Sequence, residues 1–232
     1  MSPEIEKVYG QLLWVERRRQ RVVSAVSSHF GRPSVERILA EHRVAPLLAN
    51  EGGFQRLVDE RGPAASLSSF AVNTLRLEAR TLTLLRNHVS VYQRHVDEQI
   101  LFGVRTAGQE AARSFMAQSH RDGKKPERLE IPEAIQAVLE LTFQGLPGER
   151  NHFLSLRDHG GSTVHYVRSP YLEAWAAENA DAKFLHQNRL EWVRGMLDIL
   201  SPETEYSTSH SLEEGSAFGL AQFHQREVHA GP

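Results

Sequence analysis

The chain has 232 residues, 40% of them apolar, which is enough for one large buried core or two small ones. Its 27 Lys and Arg nearly cancel its 29 Asp and Glu, so the formal charge of -2 gives no global basic field for nucleic acid. The absence of cysteine excludes disulfides, thiolate nucleophiles and Cys-rich metal sites, and no apolar run reaches the roughly 18 residues of a membrane span. From Pro3 to His29 the positions Ile5, Val8, Leu12, Val15, Val22 and Val26 recur at helical spacing, which predicts one long amphipathic helix ended by Gly31-Arg32-Pro33. Ser34 is a fair N-cap for a second helix, Val35 to Leu48, which Pro46 kinks or ends. Gly52-Gly53 and Gly62-Pro63 bracket a short helix, Phe54 to Glu60. The stripe Leu75, Leu82, Leu85, Val89, Val96, Ile100 and Val104 then spans Leu67 to about Ser119, and Gly103 and Gly108 predict that it divides into two helices in the middle.

Arg121 to Pro132 is polar and Pro-containing, a surface loop, and a helix from Glu133 to Phe143 follows it. The period then changes. NHFLSLRD and STVHYVRS alternate around Gly160-Gly161, a hairpin signal, and TEYSTSHSL and FGLAQFHQRE alternate around Glu213-Glu214-Gly215. Between the hairpins, helices are expected from Tyr171 to Asn179 and from Ala182 to Leu200. The expected fold class is α+β, mainly helical, with a small four-stranded antiparallel sheet built from the two C-terminal hairpins. A helical N-terminal region, 1–107, precedes an α+β ligand-binding core, 108–232, the two forming one compact unit. The N-terminal helices either cover the sheet or form the surface of a homodimer.

HYVRSPYLEAW, the helical pair after it and SPETEYSTSHSLEEGSAFGLAQF resemble the C-terminal half of the L-2-amino-thiazoline-4-carboxylate hydrolase-like proteins. More remotely they are similar to the vinyl-reductase small-molecule-binding domains. GQEAARSFMAQSHRDGKK, Gly108 to Lys125, resembles the helix before that core, so the likeness covers Gly108 to Phe223. It implies a pocket between sheet and helices. Where the family has Cys-Pro this chain has Ser169-Pro170, and where the family has a second cysteine it has Ala217-Phe218-Gly219. Family chemistry through those thiols is therefore absent.

The remaining candidates lie on the hairpins. Tyr166 and Arg168 share one face of a strand, while His165 shares the other with Val167. Tyr166 and Arg168 offer a phenol and a bidentate anion clamp if they line a pocket, and are ordinary surface groups if that face is solvated. On the last hairpin Tyr206, Thr208 and His210 share a face opposite Glu205, Ser207 and Ser209, and the partner strand carries Gln222 and His224. His165, Tyr166 and His210 are the candidate proton-handling groups, and Arg168, Ser169, Trp175 and His224 the candidate substrate contacts. With no Gly-rich phosphate loop no cofactor is expected, and with no His-Glu-x-x-His or Glu-x-x-His motif no metal is expected. His88, Tyr92, His95 and Glu98 would share a helix face, most simply a solvated one.

Arg17, Arg18, Arg19 and Arg21 form the longest charge run, read either as solvated helix or as a docking site for an acidic carrier protein. The expectation is a cytoplasmic small-molecule enzyme of specialised metabolism. It would perform hydrolysis, elimination or ring closure on a small anionic, amino-acid-like substrate, without nucleic acid or membrane as partner. The rival is a non-catalytic ligand-binding or assembly domain.

Overall fold

The computed structural model describes residues 2–44, 54, 58–59, 61–89, 93–121, 128–149, 152–156, 162–166, 169–213 and 216–225. The chain is mainly helical with a small antiparallel sheet, and among the described residues no helix is long and apolar enough to cross a membrane. Helix α1 spans Pro3–Phe30, with Pro3 in its first turn as the sequence predicts, and Ser2 is its N-cap. It ends at Gly31, whose φ of 92° suits a residue without Cβ. The same glycine starts α2, Arg32–Glu41. This corrects the expected start at Val35: Pro33 lies inside the first turn, where its missing N–H costs nothing. Residues 45–50, with the expected extension to Leu48, lie outside the described residues. So does most of the expected Phe54 to Glu60 helix, although Phe54 is helical and stacks on Tyr9 at 4.2 Å.

Helices α3, Pro63–His88, and α4, Gln93–Arg121, replace the long periodic segment. They divide near residue 90, not at Gly103 and Gly108, which lie inside α4. A Cβ on Gly103 would meet the Val22 backbone of α1 at 2.8 Å. One on Gly108 would run into the Trp192 carbonyl of α7, Ala182–Leu200, and one on Gly195 of α7 would run into the Arg105 carbonyl of α4. The glycines are seams of close backbone approach, so α4 sits between α1 and α7. Residues 107 and 108 are interior to this one helix. Arg86 ties the seam's end together. Its guanidinium donates to both Asp97 carboxylate oxygens, at 2.7 and 3.0 Å, and to Asp181, the N-cap of α7, at 3.2 Å.

Helix α5, Ile131–Leu141, follows, with the Glu130 backbone N–H donating to Glu133 at 3.3 Å, and α6, Leu172–Ala177, precedes α7. The apolar face of α1 (Leu12, Val15, Val22, Val26) packs with Leu67, Leu75, Leu82 and Leu85 of α3 and with Ile100 and Val104 of α4. Each such side chain, fully buried, contributes roughly 1.5–3 kcal/mol.

The strands are β1, His152–Leu156; β2, Ser162–Tyr166; β3, Thr204–Glu213; and β4, Ser216–Gln225. Their order is β1-β2-β4-β3, all pairs antiparallel, so the two hairpins are joined edge to edge through β2 and β4. The second ladder closes at Glu213 opposite Ser216, where the sequence places the turn. The first closes at Leu156 opposite Ser162, so Gly160-Gly161 lies beyond its last pair and outside the described residues. Helix α5 touches β4 and α7 touches β3.

Candidate functional site

Side chains two residues apart along a strand share a face, so the ladder register sorts the sheet into rows. One row aligns Tyr206, Phe223 and Ser162, all buried. The next in the same phase aligns Thr208, Ala221, Val164 and Leu154. Here Thr208 is half-buried and its hydroxyl lies 2.8 Å from His186 Nε2 on α7, which identifies this as the helix-covered phase. The third row of the phase runs His152, Tyr166, Gly219, His210. Two sequence candidates from different hairpins, Tyr166 and His210, thus flank a glycine in one row. In the opposite phase Glu205 and Ser207 are exposed, while Thr163 of β2, in the Ser207 row, is buried, so that face is solvated at β3 and covered at β2. His165 aligns with Leu220 and Ser209, one residue out of phase with Tyr166.

The other candidates scatter. Arg168 lies outside the described residues, Ser169 is half-buried and His224 is exposed. Trp175 is 3% exposed, a core side chain rather than an open pocket wall. Among the described residues no group of acidic and histidine side chains is arranged to hold a metal. The expected His88 to Glu98 face does not exist as one helix face, because His88 ends α3, His95 belongs to α4 and Tyr92 lies outside the described residues.

The arginine run also needs correction. Five consecutive helical positions cannot share a face, and the fold uses them singly. Arg17 is exposed and lies 4.6 Å from the Trp14 ring centroid, and Arg21 is exposed and pairs with Glu110 at 2.8 Å. Arg18 and Arg19 are buried at the α1–α3 interface, so they offer nothing to a docking partner. Arg18 grips Glu78 of α3 with two hydrogen bonds, 2.6 and 2.8 Å, and Arg19 grips Glu16 with two, 2.8 and 2.5 Å. Arg21, with Ser24, Ser28, His29, Gln99 and Phe102, also lines an open concavity of about 290 Å³ between α1 and α4. That concavity contains none of the sheet residues.

Residues that sequence reasoning missed complete the picture. Arg18 lies over two aromatic rings, 5.7 Å from the Tyr171 centroid and 5.0 Å from that of Trp192. Burial opposes its charge, but Glu78 and Tyr171 outweigh this and hold its pKa above the ordinary arginine range. Burial in turn raises the Tyr171 pKa against the opposing pull of Arg18, so the hydroxyl stays protonated at neutral pH. The Trp192 indole N–H donates to Thr142 Oγ1 at 3.0 Å. The Tyr171 hydroxyl has Arg18 beside it, whereas the Trp175 indole nitrogen and the Asn188 carbonyl oxygen are buried without a hydrogen bond among the described residues. His186 stands at the sheet end of this group. Burial first, and then the charge of Arg189, lower its pKa, which keeps the imidazole neutral near pH 7. Arg189 also bears on Tyr171, so one charge links His186 to the α6 cluster.

A search of family models, curated proteins and solved structures finds no match to this chain.

Proposed function

We propose that the helix-covered face of the sheet binds a small anionic, amino-acid-like molecule and that the chain acts on it as a cofactor-independent enzyme, by hydrolysis, elimination or ring closure. The resemblance of the C-terminal half to L-2-amino-thiazoline-4-carboxylate hydrolase-like proteins supports the class. The observation that carries the reading is His186 against Thr208, one row from the aligned Tyr166 and His210, in a four-stranded sheet made continuous by β2 and β4. A neutral imidazole is a competent proton acceptor, and the lowered pKa of His186 keeps it in that form. In this reading His186 takes the proton from a substrate amine or from an attacking water. Thr208 holds the ring, Tyr166 or His210 hydrogen-bonds the substrate, and Arg168 clamps its anionic group. These arginine and imidazole roles use no thiol, as a chain without cysteine requires.

The test is a panel of small amino acids bearing a carboxylate, sulfate ester or sulfonate, followed by thermal shift for binding and by proton NMR for turnover. His186→Gln is expected to lower turnover by about 10²–10⁴-fold, the range for loss of a proton-transfer group, while leaving the ligand-induced thermal shift in place. Unchanged turnover in His186→Gln refutes the proton-acceptor role. Binding without turnover in the unaltered protein favours the ligand-binding domain instead.

A further inference from the structure

A single exposed apolar side chain is ordinary on a protein surface, so it becomes informative only through what surrounds it. Among the described residues two large apolar side chains are exposed, Val72 at 47% and Phe102 at 63%. Phe102 lines the concavity of about 290 Å³ between α1 and α4. Arg21, Ala25 and Ser28 recur at helical spacing on α1, as do Gln99, Phe102 and Thr106 on α4, so each helix contributes one stripe to it. Where the stripes meet, Gly103 lets the backbones touch: a Cβ there would stand 2.8 Å from Val22 Cα and 3.0 Å from the Arg21 carbonyl oxygen. Arg21 and Phe102, at and next to that contact, therefore flank one hollow, and Ala25 and Gly103 have too little side chain to fill it. The polar lining is one-sided. Arg21, half exposed, donates its Nε–H to Glu110 at 2.8 Å, which orients the guanidinium and leaves both terminal nitrogens without a partner among the described residues. The Gln99 amide and the His29 imidazole make no hydrogen bond there either, and no acidic side chain lines the concavity.

We propose that this concavity binds a small aromatic carboxylate, with its ring against Phe102 and its carboxylate on the terminal N–H groups of Arg21. Two rings attract in offset or edge-to-face contact, and the ligand covers apolar surface that Phe102 otherwise shows to water. A guanidinium donates to a carboxylate through two parallel N–H groups, and Glu110, which takes only the Nε–H, leaves the terminal pair open. Ligand pockets run from roughly 300 to 1,000 Å³, so a volume of about 290 Å³ suits a single ring with its substituent. The site shares no residue with the sheet face around His186, and its test is independent of the catalytic reading.

Backbone amide signals of ¹⁵N-labelled protein read the site during separate titrations with sodium benzoate, benzamide and sodium acetate. Benzoate is expected to move the amides of residues 21–29 and 99–106 saturably, with a dissociation constant on the order of 1 mM, the scale for a ligand of this size. Benzamide, which lacks the charge, and acetate, which lacks the ring, should each bind about tenfold more weakly. Arg21→Gln should remove the preference for benzoate over benzamide, and Phe102→Ala the preference for benzoate over acetate. Both positions are exposed, so neither change is expected to disturb the fold, and the remaining amide signals check this. His186→Gln should bind benzoate as the unaltered protein does, so the catalytic reading can fail while this site stands. Amides of the two stripes that ignore benzoate overturn the proposal, and so does binding to which Phe102→Ala makes no difference. Movement confined to the sheet would place benzoate around His186 and also overturn it. Sedimentation gives the last check: if the unaltered protein is a dimer that Phe102→Ala dissociates, a second copy fills the concavity and the ligand assignment falls.

Discussion

Polar side chains are buried both where α1 meets α3 and where α6 meets α7, but the two interfaces treat them differently. At the first, every buried charge is held in a two-point grip: Arg18 to Glu78 and Arg19 to Glu16, with Gln20 adding a bond to Glu16 at 3.0 Å. At the second, Trp175 and Asn188 each keep a buried polar atom without a partner among the described residues. Saturation is what a structural polar core requires, because a half-satisfied network costs more than an apolar one. An interface left unsaturated carries that cost unrelieved.

The largest effect is expected on the saturated side. Glu78→Gln keeps the shape of the side chain but leaves the buried Arg18 charge without its counter-charge, which costs about 3–5 kcal/mol. Urea unfolding at neutral pH measures it. A loss below about 1 kcal/mol would mean that Arg18 finds another place, and the scaffold role of the pair would fall. A smaller loss is expected from Tyr171→Phe, which removes a neutral hydroxyl beside Arg18 and leaves the Glu78 counter-charge in place.

Gly195→Ala comes next and probes the seam that holds the two interfaces together. The added methyl collides with the Arg105 carbonyl, and backbone on both sides prevents an easy escape, so α4 and α7 must part. Overpacking of this kind costs roughly 1–3 kcal/mol. The same movement should draw Trp192 away from Arg18 and Thr142 and shift tryptophan fluorescence, whereas Gly10→Ala, within α1 and with open space around its Cβ, should not shift it. Unchanged stability and emission in Gly195→Ala would show that the helices are not in backbone contact.

How far the sequence discloses this depends on the range of the interaction that decides each feature. Helix and strand periodicities are local, so α1, α7 and both hairpins are legible, and the Glu213 turn falls where the ladder closes. The break between α3 and α4 is not, because Leu85, Val89 and Val96 keep the stripe going through it while the conspicuous glycines sit mid-helix. A helical glycine costs about 1 kcal/mol against alanine, and only the third dimension reveals the close packing that offsets it. The burial of Arg18 is hidden for the same reason: its partner Glu78 lies 60 residues away, and the run around it reads as solvated. Alternation singles out Tyr166 and His210, but their common row depends on β2 pairing with β4. His186 carries no local signal at all. A lone histidine in an amphipathic helix becomes distinctive only when Thr208 is brought to its ring.

The smallest expected effect concerns that histidine and its proton. Its ordinary pKa is about 6.5, and in the folded chain burial and Arg189 depress it. Above about pH 6.5 both folded and unfolded chains hold the ring neutral, so it contributes no penalty. As the pH falls from there through the folded value, the unfolded chain takes up the proton first, and stability is lost until both forms are charged. Urea midpoints at pH 7.5 and 5.0 should therefore fall more for the unaltered protein than for His186→Gln, which has no ring to protonate. The reverse order would mean that the folded chain stabilises an imidazolium at this place. His186 would then pair with an acid and belong with the saturated interface, and the proton acceptor would have to be sought along the Tyr166–His210 row.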